Sequence, residues 1–130
     1  MNIITVLAER GGTMFADIES MKDMLLENFQ HKRYVPILLL SRFTDVDHLK
    51  TKEAMYMLFV WKEELVHFLS NNDAGCIINS GNVLVLIEKE RSTEFLSRVK
   101  KLRILSKIPK LETDALIMSD DISKLFLDYA

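Results

Sequence analysis

Apolar residues recur along this chain at two spacings, and the switches between them mark out elements. Residues 2 to 8 (Asn-Ile-Ile-Thr-Val-Leu-Ala) are β-branched and apolar on both faces, and Gly11-Gly12 follows, which predicts a buried strand closed by a turn. Thr13 then offers a helix cap. Behind it Met14, Ile18, Met21, Leu25 and Phe29 share one stripe at helical spacing, opposite Asp17, Glu19, Lys22, Asp23 and Glu27. His31-Lys32-Arg33 places positive charge where the helix dipole ends negative. The apolar run Tyr34 to Leu40, with Pro36 near its start, predicts a second buried strand, so the segment reads as a right-handed βαβ unit with parallel strands.

A longer helix is expected over roughly 48 to 70, capped within Thr44-Asp45-Val46-Asp47. Ala54, Met57, Leu58, Trp61, Leu65, Phe68 and Leu69 form its inner stripe; Lys50, Lys52, Glu53, Lys62, Glu63, Glu64 and His67 face out. Asn71 to Gly75 breaks it. Residues 76 to 79 and 83 to 87 flank the tight-turn composition Asn79-Ser80-Gly81-Asn82 and predict a hairpin. A helix from Ser92 carries Phe95, Leu96, Val99 and Leu102 inward, and Pro109 stops it by about Ser106. Residues 115 to 118 suggest a last short strand, and Ser119-Asp120-Asp121 caps a terminal helix whose stripe is Ile122, Leu125, Phe126 and Tyr129. The expected fold is α/β, with α+β as the variant: one domain from residue 1 to 130, a mixed sheet of about four strands near 3 to 7, 36 to 40, 76 to 79 and 83 to 87, and three to four helices. Trp61 is expected to be buried against that sheet.

Composition narrows the class. With 48% hydrophobic and 28% charged residues over 130 positions, the chain has material for a real core and is neither disordered nor fibrous. The single Cys excludes an internal disulfide, no secretory signal opens the chain, and no apolar run is long enough to span a bilayer, so a cytoplasmic protein is expected. A net charge of -2 commits the whole molecule neither to nucleic acid nor to an anionic membrane.

Catalysis needs an activated group with a partner, and no such pair is evident. Ser80-Gly81 is explained by the hairpin turn, and Cys76 falls in a buried strand, where a thiol is inert. Asp45, Asp47 and His48 cluster, but as helix caps. Glu64 and His67 form one Glu-x-x-His pair without the second that a di-iron bundle needs. His31, His48 and His67 do not make a zinc motif, and Gly11-Gly12 lacks the remainder of a phosphate-binding loop. No cofactor or metal is expected, and the protein is not read as an enzyme. Seven Met residues are read as adaptable core filler.

Charge is segregated near the C-terminus. From Arg91 to Lys110 there are seven basic residues (Arg91, Arg98, Lys100, Lys101, Arg103, Lys107, Lys110) against Glu94 alone, whereas residues 111 to 130 hold five acids and one Lys. The acidic helix either folds back to neutralise the basic one or leaves a cationic face that steers an anionic partner.

Leu-Ser-Arg-Val at 96 to 99 and Ser-Asp-Asp-Ile-Ser-Lys-Leu at 119 to 125, set behind the order strand, helix, strand, hairpin, helix, resemble the antitoxin that partners the bacterial RNase LS toxin. The resemblance covers the last third of the chain and implies a small cytoplasmic protein that silences an endoribonuclease. On this reading the protein binds and occludes a protein partner, as antitoxins, immunity proteins and inhibitors do, with Arg98, Lys101, Arg103, Leu125, Phe126 and Tyr129 in the contact and no specific nucleic-acid or membrane partner. Removing residues 119 to 130 would then leave a folded domain without its partner. The alternative is a winged-helix-like DNA-binding regulator, since a helix leading into a hairpin near basic residues is also what that class offers.

Overall fold

Asp17 starts the first helix of the described residues. Its carboxylate accepts the Ser20 backbone N–H at 2.8 Å and caps α1 (Ile18–His31) in the computed structural model, which describes residues 15–44, 50–104 and 110–129. Thr13, Met14 and the expected strand at 3 to 7 lie outside the described residues. The helix ends at Lys32, which takes the left-handed conformation (φ 52°) and returns its N–H to the Asn28 carbonyl. Asn28 then steers the chain into the sheet: its amide oxygen accepts the Tyr34 N–H at 2.9 Å and its amide nitrogen donates to the Tyr34 carbonyl at 3.0 Å.

Five strands follow, β1 (Tyr34–Thr44), β2 (Ala74–Asn79), β3 (Asn82–Glu88), β4 (Arg103–Ile104) and β5 (Lys110–Ile117), joined in the order β2-β3-β1-β5-β4. Among the described residues every pair of these strands is antiparallel. The strands expected near 36 to 40, 76 to 79 and 83 to 87 are present as β1, β2 and β3, and the described pairing is antiparallel where a mixed sheet of about four strands was expected. The apolar run of β1 signals cover on both faces of the sheet, and here helices supply that cover. A lone parallel bridge, Ala16 to Cys76, lies outside the strands, with the Ala16 N–H donating to the Gly75 carbonyl. The expected hairpin is present. Its Gly81 is pressed against Ser41, whose backbone N–H and hydroxyl both donate to the Gly81 carbonyl at 2.8 Å; a Cβ at position 81 would lie 2.8 Å from that hydroxyl oxygen.

Side chains alternate across the sheet into two cores, which makes this an α/β fold with helices on both faces. Ile37, Leu39, Val83, Val85, Ile87 and Leu111 meet Met57, Trp61 and Leu65 of α2 (Thr51–Phe68) and Phe95 and Val99 of α3 (Ser92–Lys100). On the opposite face Leu84, Leu86, Ala74 and Cys76 meet Met21 and Leu25 of α1, together with Phe126 and Leu127 of α4 (Asp120–Tyr129). Trp61 is fully buried, as expected, and its indole N–H donates to the Thr113 hydroxyl.

Two element boundaries differ from expectation. Helix α2 begins after Lys50 with no side-chain cap, and Thr44 is the last residue of β1; Asp45, Val46, Asp47 and His48 lie outside the described residues. Helix α3 stops at Lys100, well before Pro109, because Arg103 and Ile104 pair with Glu112 and Leu111. One buried carboxylate locks the turns together. Asp73 accepts the backbone N–H of Ser70 and of Glu88 and pairs with Arg91, whose other guanidinium nitrogen donates to the Phe68 carbonyl.

Candidate interaction surface

The start of α4 is fixed at three points. The Ser119 hydroxyl accepts the Ile122 N–H at 3.2 Å and the Ser119 carbonyl accepts the Ser123 N–H, while Lys32 reaches across from the end of α1 to both oxygens of Asp120, at 2.7 and 2.9 Å. Acid at the N-terminus of one helix and base at the C-terminus of the other suit both dipoles. These anchors set the roll of α4, which divides the expected stripe of Ile122, Leu125, Phe126 and Tyr129. Ser123, at 1% exposure, faces inward with the partly buried Phe126 and Leu127, whereas Ile122, Leu125 and Tyr129 stand at 38%, 56% and 86% exposure. The helix buries a serine, whose hydroxyl has no hydrogen-bond partner among the described residues, and turns a row of larger apolar side chains to solvent.

The strand leading into α4 shares this character. Leu116 and Ile117, on opposite faces of β5, are 43% and 53% exposed. Farther along the α4 side of the sheet the surface becomes charged: Arg42 pairs with Glu112 at 3.3 Å and Asp114 at 3.7 Å, and Arg103 with Glu112 at 3.8 Å.

The six residues expected in a partner contact divide between the two faces of the molecule. Arg98 lies on the α3 side, its guanidinium 4.5 Å from the centre of the Phe68 ring, and Lys101 is exposed just beyond the same helix. Arg103 belongs to the charged ladder, Phe126 is packed into the second core, and Leu125 and Tyr129 remain on the open face of α4. Among the described residues, no ion pair joins the acidic helix to the basic segment. Helices α3 and α4 lie on opposite sides of the sheet, Asp120 answers Lys32, and the arginines of the basic segment are held by Asp73, Phe68 and Glu112. Leu116, Ile117 and Ile122 join the surface without having been marked as exposed by their pattern. The one sequence signal was Ser123, a small polar residue amid apolar neighbours on both arcs of a short helix.

Elsewhere the chemistry is self-contained. Burial, with a smaller push from the Asp17 carboxylate, raises the Cys76 thiol above its usual range, away from the reactive thiolate. Among the described residues no three His, Cys, Asp or Glu side chains gather to hold a metal ion, and no helix is long and apolar enough to cross a membrane. A hollow of about 220 Å³ beside α1 is lined by Glu27, His31 and Arg33 together with Asn28 and Tyr34, which hydrogen-bond to each other. On the far face of α2, Met55, Tyr56 and Phe59 form a second exposed apolar group. Compared with protein-family models, curated proteins and solved structures, the chain matches none of them.

Proposed function

We propose that the protein inhibits or regulates a protein partner by occlusion, and that the open face of α4, centred on Leu125 with Ile122 and Tyr129 beside it, makes the contact. One observation carries this reading: α4 buries Ser123 while leaving these three side chains in water. Each such side chain forgoes part of the roughly 1.5–3 kcal/mol that full burial of a large apolar side chain contributes. A helix placed for stability alone would turn the apolar arc inward. Contiguous exposed apolar residues with a polar border are what interaction sites present. Tyr beside Leu supplies an aromatic anchor of the kind that dominates interface energetics. Asp121 and Asp128 are exposed on the same helix beside a single Lys124, so the complementary surface is an apolar groove with a basic rim. An endoribonuclease, as the antitoxin resemblance of residues 119 to 125 implies, fits that description, because a nuclease presents basic residues to its substrate.

The DNA-binding alternative loses its main support. Arg91, Arg98 and Arg103 are each engaged within the molecule, and the helix before the hairpin commits Trp61 and Leu65 to the core.

Affinity capture from the native host tests the proposal, using the intact chain beside the double variant Leu125→Asp/Tyr129→Ser and the control Arg98→Ser/Lys101→Ser. The expected outcome is a co-purifying protein whose affinity falls by at least about 30-fold, or 2 kcal/mol, in the first variant and is unchanged in the control, with both variants unfolding like the parent. Equal retention by the Leu125/Tyr129 variant would overturn the assignment of the site.

A further inference from the structure

We infer that the open edge of β5 pairs with the same edge of a second copy of this chain. Strand β4 reaches only Glu112 and Leu111, so among the described residues no strand lies against residues 113–117 on that side. The phase of the backbone is fixed. The Met118 N–H donates to the Pro36 carbonyl, and the register of Leu38 with Leu116 and Leu40 with Asp114 continues that phase, so even-numbered residues of β5 bond to β1. The odd-numbered Thr113, Ala115 and Ile117 therefore turn their N–H and C=O groups outward.

An antiparallel pair of identical edges is self-complementary about a two-fold axis. The alternation leaves few registers. Centring on Ala115 sets Thr113 opposite the partner's Ile117 and uses all three outward N–H groups of each chain, giving six hydrogen bonds across the axis. Centring on Asp114 sets carboxylate against carboxylate and loses two of those bonds, which disfavours it. In the Ala115 register Asp114 faces the partner's Leu116, and Ile117 covers the neighbouring strand. Residues 113–117 contain no Pro or Lys, two of the devices by which sheet edges are usually blunted, Asp114 is the one charge among them, and both of the side chains at the end of β5 are exposed and apolar. Proposed and partner-binding surfaces do not coincide: the edge is backbone, while the occluding face is the outer row of α4.

Sedimentation of the full chain from micromolar to submillimolar concentration reads this out. The expected species is twice 15.1 kDa. Ile117→Pro deletes a donor that β1 does not use and should raise the dissociation constant by about tenfold or more while unfolding like the parent. Leu125→Asp should leave the dimer intact. As a measurement independent of any substitution, amide exchange at Thr113, Ala115 and Ile117 should slow as protein concentration rises. A chain monomeric throughout the range overturns the inference. So does a dimer that resists Ile117→Pro, one that is lost on Leu125→Asp, or exchange at these amides that ignores concentration.

Discussion

At position 123 a hydroxyl is buried without a partner among the described residues, and its removal is informative. Ser123→Ala keeps the small volume that lets α4 sit close to the sheet and deletes the unsatisfied group, so it should stabilise the fold by about 1 kcal/mol in chemical denaturation. Trp61 is the opposite case, a large side chain whose one polar atom is satisfied by Thr113. Trp61→Ala should cost about 3–5 kcal/mol through lost contacts and the cavity left behind. Because Trp61 is the only tryptophan, the parent's emission should be that of a shielded indole and should shift to the red on unfolding. Its burial was legible from the stripe Met57, Trp61, Leu65, where four-residue steps leave a single inner face. The roll of α4 was not, because Ile122, Leu125 and Tyr129 form one apolar arc and Phe126 and Leu127 another. Periodicity cannot choose between them; the Lys32–Asp120 pair and the Ser119 cap do.

Among the elements, α1 carries a built-in acid sensitivity. Backbone and hydroxyl hydrogen bonds from Ser20 hold the Asp17 carboxyl below its usual value near 3.8. A depressed folded-state pKa means that the stabilisation is present above the unfolded value and is lost as pH falls through the folded one. The stability gap between the parent and Asp17→Ala should therefore be open at neutral pH and close in acid, as followed by helical circular dichroism during denaturation. Strand β5 makes a second element-scale prediction. Leu116→Pro removes a donor to β1 and should cost about 3 kcal/mol, whereas Ile117→Pro, one position on, should be tolerated because its N–H points away from β1. The hairpin was readable because Asn79-Ser80-Gly81-Asn82 separates two apolar runs. The first half of β5 was not, since its inward residues are Leu111 and the polar Thr113, a single apolar position set against Lys110, Glu112 and Asp114. A capless N-terminus at Lys50 likewise leaves the start of α2 without a local signal.

For the whole molecule, helices on both faces make the terminal segment part of the structure as well as a candidate contact. Phe126 and Leu127 cover the second core beside Leu38 and Met118, so deleting residues 119 to 130 should lower the unfolding midpoint sharply or abolish cooperative unfolding. Truncation thus reports on folding, and only substitutions on the outer row of α4 report on binding. The place of β1 has a further consequence in time. Its partners are remote in sequence: Leu40 lies against Asn82 and Ile37 against Ile117, so neither flank is completed by a neighbouring hairpin. Closures this long slow the search, and refolding on the order of milliseconds to seconds is expected. During synthesis the imbalance is greater still. Until residues 110 to 117 have left the ribosome, residues 37 to 44 of β1 lack their β5 partner, and the nascent chain carries the apolar run Ile37 to Leu40 as an unprotected sheet edge.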